Sequence, residues 1–294
     1  MALQFPAGLK RQSYRIAAEL RDAGFDVIIS GDPCYGACDL ALDLLEWADL
    51  LVHFGHTPVA FHPDVIYEPW PVDFDINSIS FALPYLHERR IGILTTVQHA
   101  HLIPEIIVFL QVKGIEGVVA EGNVRTPLSG QVLGCSYQAA RIEGINEFLF
   151  IGTGVFHPIG VKLATGAGVI ALDPFTGTVT EVNPDRFLRK RFALIEKARK
   201  ASNFGVIFSQ KSGQCRKHLA EELAALSDNA FLVAMREVSP DEMVNLGFEC
   251  YVNTACPRLS YDDQIRFPVP VLAPAEFEIL CGKRSWDDYT IDEI

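Results

Sequence analysis

The sequence predicts an α/β protein with three pseudo-repeated domains, each a small parallel sheet with flanking helices, around one central site. Two observations lead to this prediction. Along the 294 residues, short β-branched runs alternate with helical segments, which is the order found in parallel sheets with covered faces. The rhythm then recurs roughly every hundred residues, as a repeat of pattern rather than of letters. We therefore predict domains at residues 1–86, 87–188 and 189–294.

The first domain begins with a short strand and a helix, which the periodicity places at Leu9–Ala23 with Gly24 as its C-cap. The apolar β-branched run Phe25–Ile29 then predicts a strand. A Gly/Pro loop follows and carries Cys38, which we place at the N-terminus of a helix that ends near Asp49. Further strands are predicted at residues 3–5, 50–54 and 65–67.

The second and third domains repeat this order of strands and helices. In the second domain, strands are predicted at residues 90–94, 117–120, 147–151 and 168–172, with a helix at 102–112. The third domain follows a basic helix at about 184–202 and has predicted strands at residues 204–208, 230–234, 250–253 and 269–272. Its helices are predicted at 215–226 and 240–246. The acidic tail is expected to be a solvated end that packs by Trp286 and Tyr289.

Charge and composition narrow the class of protein. The net charge is −12 and no basic face is visible, so we do not expect a nucleic-acid partner. The basic run Arg186–Lys200 has an amphipathic pattern that favours a solvated helix face. The chain opens with a strand-like segment rather than a signal peptide, and no apolar run approaches the ~20 residues that span a membrane. Seven cysteines in such a chain indicate a cytoplasmic protein with thiols rather than disulfides.

Three cysteines, Cys38, Cys135 and Cys256, lie in different thirds of the chain, and each follows a predicted strand. Ligands of open parallel sheets bind beyond the carboxyl ends of the strands, so the three thiols can converge on one centre. Three thiolates suit a 4Fe-4S cluster with one iron left open to a substrate. The residues alone also allow the commoner role of such cysteines, as small apolar side chains in the core.

Further residues could contribute to such a site. The turn Gly152-Thr153-Gly154, with His157 after it, lets the backbone approach a ligand and offers N–H groups to a carboxylate or hydroxyls. Many turns of this kind bind nothing. Arg258 could form a bidentate pair with a carboxylate, or it could be a surface arginine that caps a helix.

Histidines cluster in two places, His53 with His56 and His99 with His101. Zinc is one interpretation, because histidine is a common metal ligand. Histidines that form hydrogen bonds within a pocket are the other interpretation.

Cys34 lies four residues before Cys38 and could in principle be a ligand together with it. Ordinary radical enzymes that use S-adenosylmethionine carry the motif CxxxCxxC. That motif is absent, because Ala41 stands three residues after Cys38. The residues themselves leave the role of Cys34 open.

The motifs around the three cysteines, YGACD, LGCS and NTACPR, resemble in order and spacing the archaeal 2-(3-amino-3-carboxypropyl)histidine synthase family. These enzymes catalyse the first step of diphthamide biosynthesis. The resemblance extends over nearly the whole chain, through LQFPAGLKR, LVHFGHTP, TTVQHAH, FIGTGVFHPIG and ALDPFTG. It implies three similar domains that each give one cysteine to a 4Fe-4S cluster, namely Cys38, Cys135 and Cys256. The other cysteines, Cys34, Cys215, Cys250 and Cys281, are interpreted as structural or incidental.

The resemblance further implies a transferase reaction. S-adenosylmethionine is the substrate, one C–S bond on its methionine side is cleaved reductively by a radical mechanism, and methylthioadenosine leaves. The 3-amino-3-carboxypropyl group passes to a histidine of translation elongation factor 2. An external electron donor is required, and the archaeal enzymes work as homodimers. The expected cofactor-binding residues are Gly152, Thr153, Gly154, His157, Arg258, His56, Gln98 and His99.

Two alternative functions stay open. Quinolinate synthase also has three pseudo-symmetric domains and a cluster with an open iron, but it uses neither S-adenosylmethionine nor a protein substrate. YGACD and NTACPR favour the first interpretation over this one. The other alternative is a non-catalytic binding or electron-relay subunit, and the retention of all three cysteines argues against it.

Overall fold

Three small sheets of mostly parallel strands form the framework of the protein, which confirms the predicted α/β class. The computed structural model describes residues 1–294. Contacts between residues divide the chain into two units. The first unit comprises Met1–Leu133, Gln138–Gly154 and Ala167–Glu181, and the second unit comprises Gly134–Tyr137, Val155–Gly166 and Val182–Ile294. The three domain boundaries remain a prediction.

The first sheet lies in the first unit and consists of β1 (Ala2–Gln4), β2 (Ile28–Ile29), β3 (Leu51–Phe54) and β4 (Val65–Glu68). Its order is β2-β1-β3-β4, and all neighbouring strands are parallel. Successive apolar residues of β1 and β3 are buried on opposite faces of the sheet. Helix α1 (Ser13–Asp22) ends just before Gly24, whose φ of +94° is the left-handed conformation of a C-terminal cap.

The second sheet, also in the first unit, consists of β5 (Arg90–Thr95), β6 (Glu116–Val118), β7 (Glu147–Ile151), β8 (Gly168–Leu172) and β9 (Val179–Glu181). Its order is β6-β5-β7-β8-β9. Helix α2 (Ile103–Val112) packs its apolar residues into the core of this sheet. The predicted strands and helix of this region are therefore confirmed.

Strand β9 is antiparallel to β8, and the sequence analysis did not predict it. The turn between them reverses the chain. Asp173 begins the turn and accepts a hydrogen bond from the Phe175 N–H at 2.9 Å, and Gly177 ends it with a φ of +68°. The turn itself is readable in the sequence, but the three-residue strand after it is too short to show an alternating pattern.

The second unit contains α3 (Phe156–Thr165) and the third sheet, whose strands are β10 (Phe204–Ser209), β11 (Ala230–Met235), β12 (Cys250–Asn253) and β13 (Val271–Leu272). Its order is β11-β10-β12-β13, with all pairs parallel. The other helices are α4 (Asp185–Ala198), α5 (Lys217–Ala224), α6 (Pro240–Leu246), α7 (Pro257–Tyr261) and α8 (Pro274–Leu280). None of the helices has both the length and the apolar composition needed to cross a lipid bilayer.

The same strand order recurs in all three sheets. The first strand in sequence lies inside, between the second and the third, and the fourth lies beyond the third. The cysteine loops follow this repeat less strictly. Cys38 and Cys135 lie between the second and third strands of their sheets, whereas Cys256 lies between the third and fourth. Each loop nevertheless follows the carboxyl end of a strand, as open parallel sheets require of their ligand-binding loops.

The prediction that an α-helix begins at Cys38 was wrong. Cys38 lies in an irregular turn, and the only helical segment between it and β3 is a 3-10 helix at Leu42–Glu46. The cause is a side chain far away in sequence. The Gln4 amide donates to the Asp39 C=O at 2.7 Å and accepts from the Ala41 N–H at 3.2 Å. Backbone groups that an α-helix would use are thereby bonded to Gln4.

A buried ion pair ties α4 to α8 in the second unit. The side chains of Arg191 and Glu276 are 4% and 0% exposed, and the Arg191 Nε donates to the Glu276 Oε1 at 2.7 Å. Arg191 also donates to the Ser260 and Val271 carbonyls at 2.6 and 3.0 Å, and the Tyr289 hydroxyl donates to Glu276 at 3.0 Å. With these partners the two buried charges are compensated.

We expect Arg191→Met to lower the free energy of unfolding by about 3–5 kcal/mol, because it leaves the Glu276 carboxylate buried without a cation. The measurement is urea unfolding followed by circular dichroism. Arg189→Met is the matched control, since Arg189 is 82% exposed and its pair with Asp185 is long, at 3.8 Å. The control is expected to change little. Equal losses in the two variants would contradict the prediction.

Candidate functional site

Cys38 lies in the first unit, in the loop after β2, and its thiol is half-buried. The loop is held by its own hydrogen bonds as well as by Gln4. The Asp39 N–H donates to the Gly36 C=O at 2.9 Å, and the buried Asp39 carboxylate accepts from the Tyr35 N–H at 3.3 Å. These hydrogen bonds therefore hold the backbone on both sides of the Cys38 thiol in place.

Cys135 and Cys256 both lie in the second unit. Cys256 follows β12 and immediately precedes α7. Burial raises the pKa of the Cys256 thiol to about 11, while a hydrogen bond from the Arg258 N–H opposes this shift. The neighbouring Cys135 thiol raises the same pKa further, so the two sulfurs lie within electrostatic range of each other. An N–H donor on a sulfur is an arrangement that stabilises thiolate ligands of iron–sulfur clusters.

The loop that carries Cys256 is shaped by Asn253, a residue that the sequence analysis did not single out. Its amide donates to the Cys256 C=O at 2.8 Å and to the Ser260 hydroxyl at 3.1 Å. Its carbonyl oxygen accepts from the Ala255 N–H at 2.9 Å. Asparagine at the end of a strand is a common loop-forming residue, and this was the available signal in the NTACPR motif.

Arg216 supports the same loop from outside the motif. Its guanidinium donates to the Thr254 C=O at 2.7 Å and to the Ala255 C=O at 3.1 Å. The other side of the guanidinium pairs with the Asp292 carboxylate at 2.6 Å. No local sequence pattern marks Arg216, because all its partners lie at least thirty-eight residues away.

The acidic tail is packed rather than solvated, so that expectation was wrong. The Asp292 side chain is 7% exposed. The Glu293 carboxylate accepts from the Tyr137 N–H at 3.0 Å, and the Ile294 N–H donates to the Cys135 C=O at 2.8 Å. The expected packing of Trp286 and Tyr289 is present, since both rings contact Phe192. The tail thus bonds the loop of Cys135, while Arg216 links it to the loop of Cys256.

His157 and Arg258 also lie in the second unit, beside these loops. The Arg258 guanidinium lies 5.5 Å from the centre of the Phe156 ring and pairs with Asp262 at 2.9 Å. Burial, together with the nearby charge of Arg258, lowers the pKa of His157 to about 4. The imidazole is therefore neutral at pH 7. A neutral donor–acceptor ring near a guanidinium is suited to bind a polar ligand that carries a carboxylate.

The Gly152–Gly154 turn lies in the first unit, between β7 and the residues that lead to α3. Gly154 has a φ of +79°, a conformation that disfavours any other residue, and space is open where a Cβ would stand. The Gly152 N–H is already bonded to the Leu172 C=O at 3.0 Å. Thr153 and Gly154 are exposed, so this part of the turn is accessible to a ligand.

The remaining predicted residues, His56, Gln98 and His99, lie in the first unit. His99 is 4% exposed, packs between Phe74 and Phe175, and has its Nδ1 2.8 Å from the Val72 C=O. Its contacts are thus with residues outside the predicted site. The Gln98 C=O accepts from the Val72 N–H at 2.8 Å. His56 contacts His53, with 3.0 Å between the His53 Nε2 and the His56 Nδ1.

Comparison with known proteins gives a consistent result over the whole chain. Residues 5–291 match the model of the diphthamide synthesis protein family. The 2-(3-amino-3-carboxypropyl)histidine synthase of Pyrococcus horikoshii is 37% identical over 303 residues, which cover 99% of this chain and 88% of that protein. The synthase of Methanocaldococcus jannaschii is 26% identical over 324 residues, with 99% and 86% covered.

A solved structure agrees with these relatives. The crystal structure of Dph2 from Pyrococcus horikoshii with a 4Fe-4S cluster matches with a TM-score of 0.93 and 36% identity, and the match covers 100% of this chain and 88% of that one. Coverage of this extent includes every element described above. The protein therefore belongs to the diphthamide synthesis protein family.

Proposed function

We propose that this protein is a transferase that catalyses the first step of diphthamide synthesis, transfer of a 3-amino-3-carboxypropyl group from S-adenosylmethionine to a histidine. The observation that carries the proposal is the likeness to the Pyrococcus horikoshii synthase over 99% of the chain. The same likeness favours this activity over that of quinolinate synthase, which belongs to another family. Methylthioadenosine is the second product.

The donor atoms of the chain fit an iron–sulfur cluster. We propose Cys38, Cys135 and Cys256 as its three ligands, and a 4Fe-4S cluster bound there would supply an electron and an iron open to substrate. Cys135 and Cys256 are within electrostatic range of each other, and the Arg258 N–H donates to the Cys256 sulfur. The hydrogen bonds of Asn253 and the tail hold the backbone of these two loops. The fit rests on the soft thiolate donors that such clusters require.

Several residues are proposed to bind S-adenosylmethionine, and each is considered within its own unit. In the second unit, Arg258 can turn from the Asp262 carboxylate to the carboxylate of the ligand, since its side chain is 56% exposed. Neutral His157, whose pKa is lowered by the charge of Arg258, is proposed to bind the same ligand. In the first unit, the exposed Thr153–Gly154 part of the glycine turn offers backbone N–H groups. Gln98 and His99 of the same unit are also proposed to contribute to binding of this substrate, and a different role for His56 is argued below.

The partners follow from the chemistry of the family. We propose that the acceptor is a histidine of translation elongation factor 2 in the cytoplasm, and that an external donor supplies the electrons. We also propose a homodimer, without a part for nucleic acid or a membrane.

The decisive experiment is an anaerobic assay. The protein is reconstituted with iron and sulfide, reduced with dithionite and given S-adenosylmethionine, and the nucleoside released is identified. Methylthioadenosine is expected, and Cys256→Ala should abolish it, because one cluster ligand is lost. Cys281→Ala is the matched control and should retain the activity. Release of deoxyadenosine instead, or no cleavage with a fully formed cluster, would overturn the proposed reaction.

The dimer is tested by size-exclusion chromatography with light scattering on the reconstituted protein. We expect a mass of two chains, because the proposed form is a homodimer. A mass equal to one chain across the accessible concentration range would contradict it.

Arg216 is a positioning residue for the cluster loops. Arg216→Lys keeps the charge but cannot replace all five hydrogen bonds of the guanidinium, because an ammonium group has only three N–H donors on a single nitrogen. We expect the reconstituted variant to lose iron to a chelator about 10-fold faster than the parent. This is the lower end of the effects seen when residues that support metal ligands are substituted. Loss of the 4Fe-4S absorption over time is the measurement.

The matched control for this prediction is Arg266→Lys, because the Arg266 side chain is 57% exposed and pairs only loosely with Asp263, at 3.6 Å. Its rate of iron loss should equal that of the parent. If Arg216→Lys also loses iron at the parental rate, the positioning role is wrong.

A further inference from the structure

The first unit contains a second group of metal-ligating side chains, Cys34, His53 and His56, which the proposed cluster does not use. One ligand atom from each residue lies within 4.8 Å of those of the other two. Cys34 and His53 are 4% and 0% exposed, and His56 is half-buried. A thiol and two imidazoles in this arrangement form the donor set of a transition-metal site rather than of an iron–sulfur cluster.

Three separate parts of the chain bring the group together. His53 lies in β3, beside Gln4 of β1 in the parallel register of the first sheet. Gly55 then turns the chain with a φ of +83°, so that His56 folds back towards the ring of His53. Cys34 comes from the loop after β2. The spacing of these residues in sequence follows no zinc motif, so the group is visible only in the fold.

The tautomer of His53 is fixed by Gln4. The Ala41 N–H can only donate, so the Gln4 atom that it contacts at 3.2 Å is the carbonyl oxygen Oε1. The same Oε1 lies 2.8 Å from the His53 Nδ1, which must therefore carry the proton. The lone pair of neutral His53 is on Nε2, and this atom faces the His56 Nδ1 at 3.0 Å.

The hydrogen bond from the His53 Nδ1–H to Gln4 is of the kind that orients histidines bound to metals. A ligating imidazole usually donates its other N–H to a carbonyl or carboxylate oxygen, which sets the orientation of the ring. Gln4 supplies that oxygen, and it is itself held by Asp39 and Ala41. Burial also lowers the pKa of both His53 and His56, so the rings are in the neutral form that binds metals.

The distances fit a tetrahedral ion after small side-chain rotations. Zinc binds nitrogen at about 2.0–2.1 Å and sulfur at about 2.3 Å, so neighbouring ligand atoms lie about 3.3–3.7 Å apart. The His53 Nε2 and His56 Nδ1 are already at 3.0 Å, and no pair of ligand atoms exceeds 4.8 Å. Without a metal, the His56 Nδ1 donates to the His53 Nε2, so binding requires the His56 proton to move from Nδ1 to Nε2. Binding also converts the Cys34 thiol to a thiolate, and one proton is released in total.

We propose that Cys34, His53 and His56 bind a divalent transition-metal ion of the zinc class. Three protein ligands leave a fourth position for water or an exchangeable ligand, as in zinc sites that are not purely structural. This assigns a role to Cys34 and gives His56 a metal rather than S-adenosylmethionine as its partner. The proposal does not depend on the proposed transferase function.

The test uses the full chain with Cys38→Ala, Cys135→Ala and Cys256→Ala, so that the proposed cluster ligands cannot compete. Co²⁺ is the probe, because a tetrahedral Co²⁺–thiolate site gives visible d–d bands and a near-ultraviolet charge-transfer band. We expect one Co²⁺ per chain, displaced by Zn²⁺. Adding Cys34→Ser should remove the charge-transfer band, and adding Gln4→Leu should weaken binding about 10–100-fold.

The matched control is Cys215→Ser in the same background, since Cys215 is an exposed cysteine outside the group. It should leave the spectrum unchanged. A parent without a charge-transfer band, or a Cys34→Ser variant that keeps it, would overturn the proposal.

A second measurement covers the case in which the triple variant does not fold. The protein with its natural cysteines is reconstituted with iron and sulfide, equilibrated with Zn²⁺, and analysed for both metals. One zinc per chain is expected beside the iron, and Cys34→Ser should lose the zinc but keep the iron. Equal zinc in both proteins would contradict the site. Failure of the iron to bind, with zinc retained, would count against the proposed function alone.

Discussion

The structure depends on how the loops that carry the cysteines satisfy their backbone polar groups. These loops are irregular and partly buried, so their N–H and C=O groups cannot rely on a helix or a sheet, yet buried groups of this kind must be bonded. In each loop, side chains form hydrogen bonds with these backbone groups. Gln4 bonds the loop of Cys38, Asn253 and Arg216 bond the loop of Cys256, and Glu293 bonds the loop of Cys135.

The framework could be predicted from the sequence because its signals are local. Short apolar runs between polar turns mark the strands, and β7 and β8 have the predicted bounds. The helix expected after Cys38 failed because Gln4, thirty-seven residues before Ala41, takes over the backbone groups that the helix needs. A local pattern contains no information about such a partner. The short α7 was missed for a related reason, since five residues are too few for helical periodicity.

In the candidate site, too, the residues marked by a local motif could be predicted, and those with remote partners could not. The three cysteines were proposed as ligands because they lie in motifs that resemble a family. Arg216 and the tail were not, because their partners are remote: the Glu293 carboxylate and the Tyr137 N–H are separated by 156 residues. The association of Cys34 with His53 and His56 likewise needs the strand register of the first sheet. The packing of His99 between two aromatic rings is a further feature that its motif does not reveal.

The contact between Ile294 and Cys135 has a consequence for the order of events during biosynthesis. The loop of Cys135 obtains hydrogen bonds from Glu293 and Ile294, which leave the ribosome long after the loop itself. While the chain is being translated, the Cys135 thiol is on a loop without these partners. The loop can therefore reach its fully bonded conformation only after the tail has been translated and has docked, and until then its thiol lacks the protection of these contacts against oxidation.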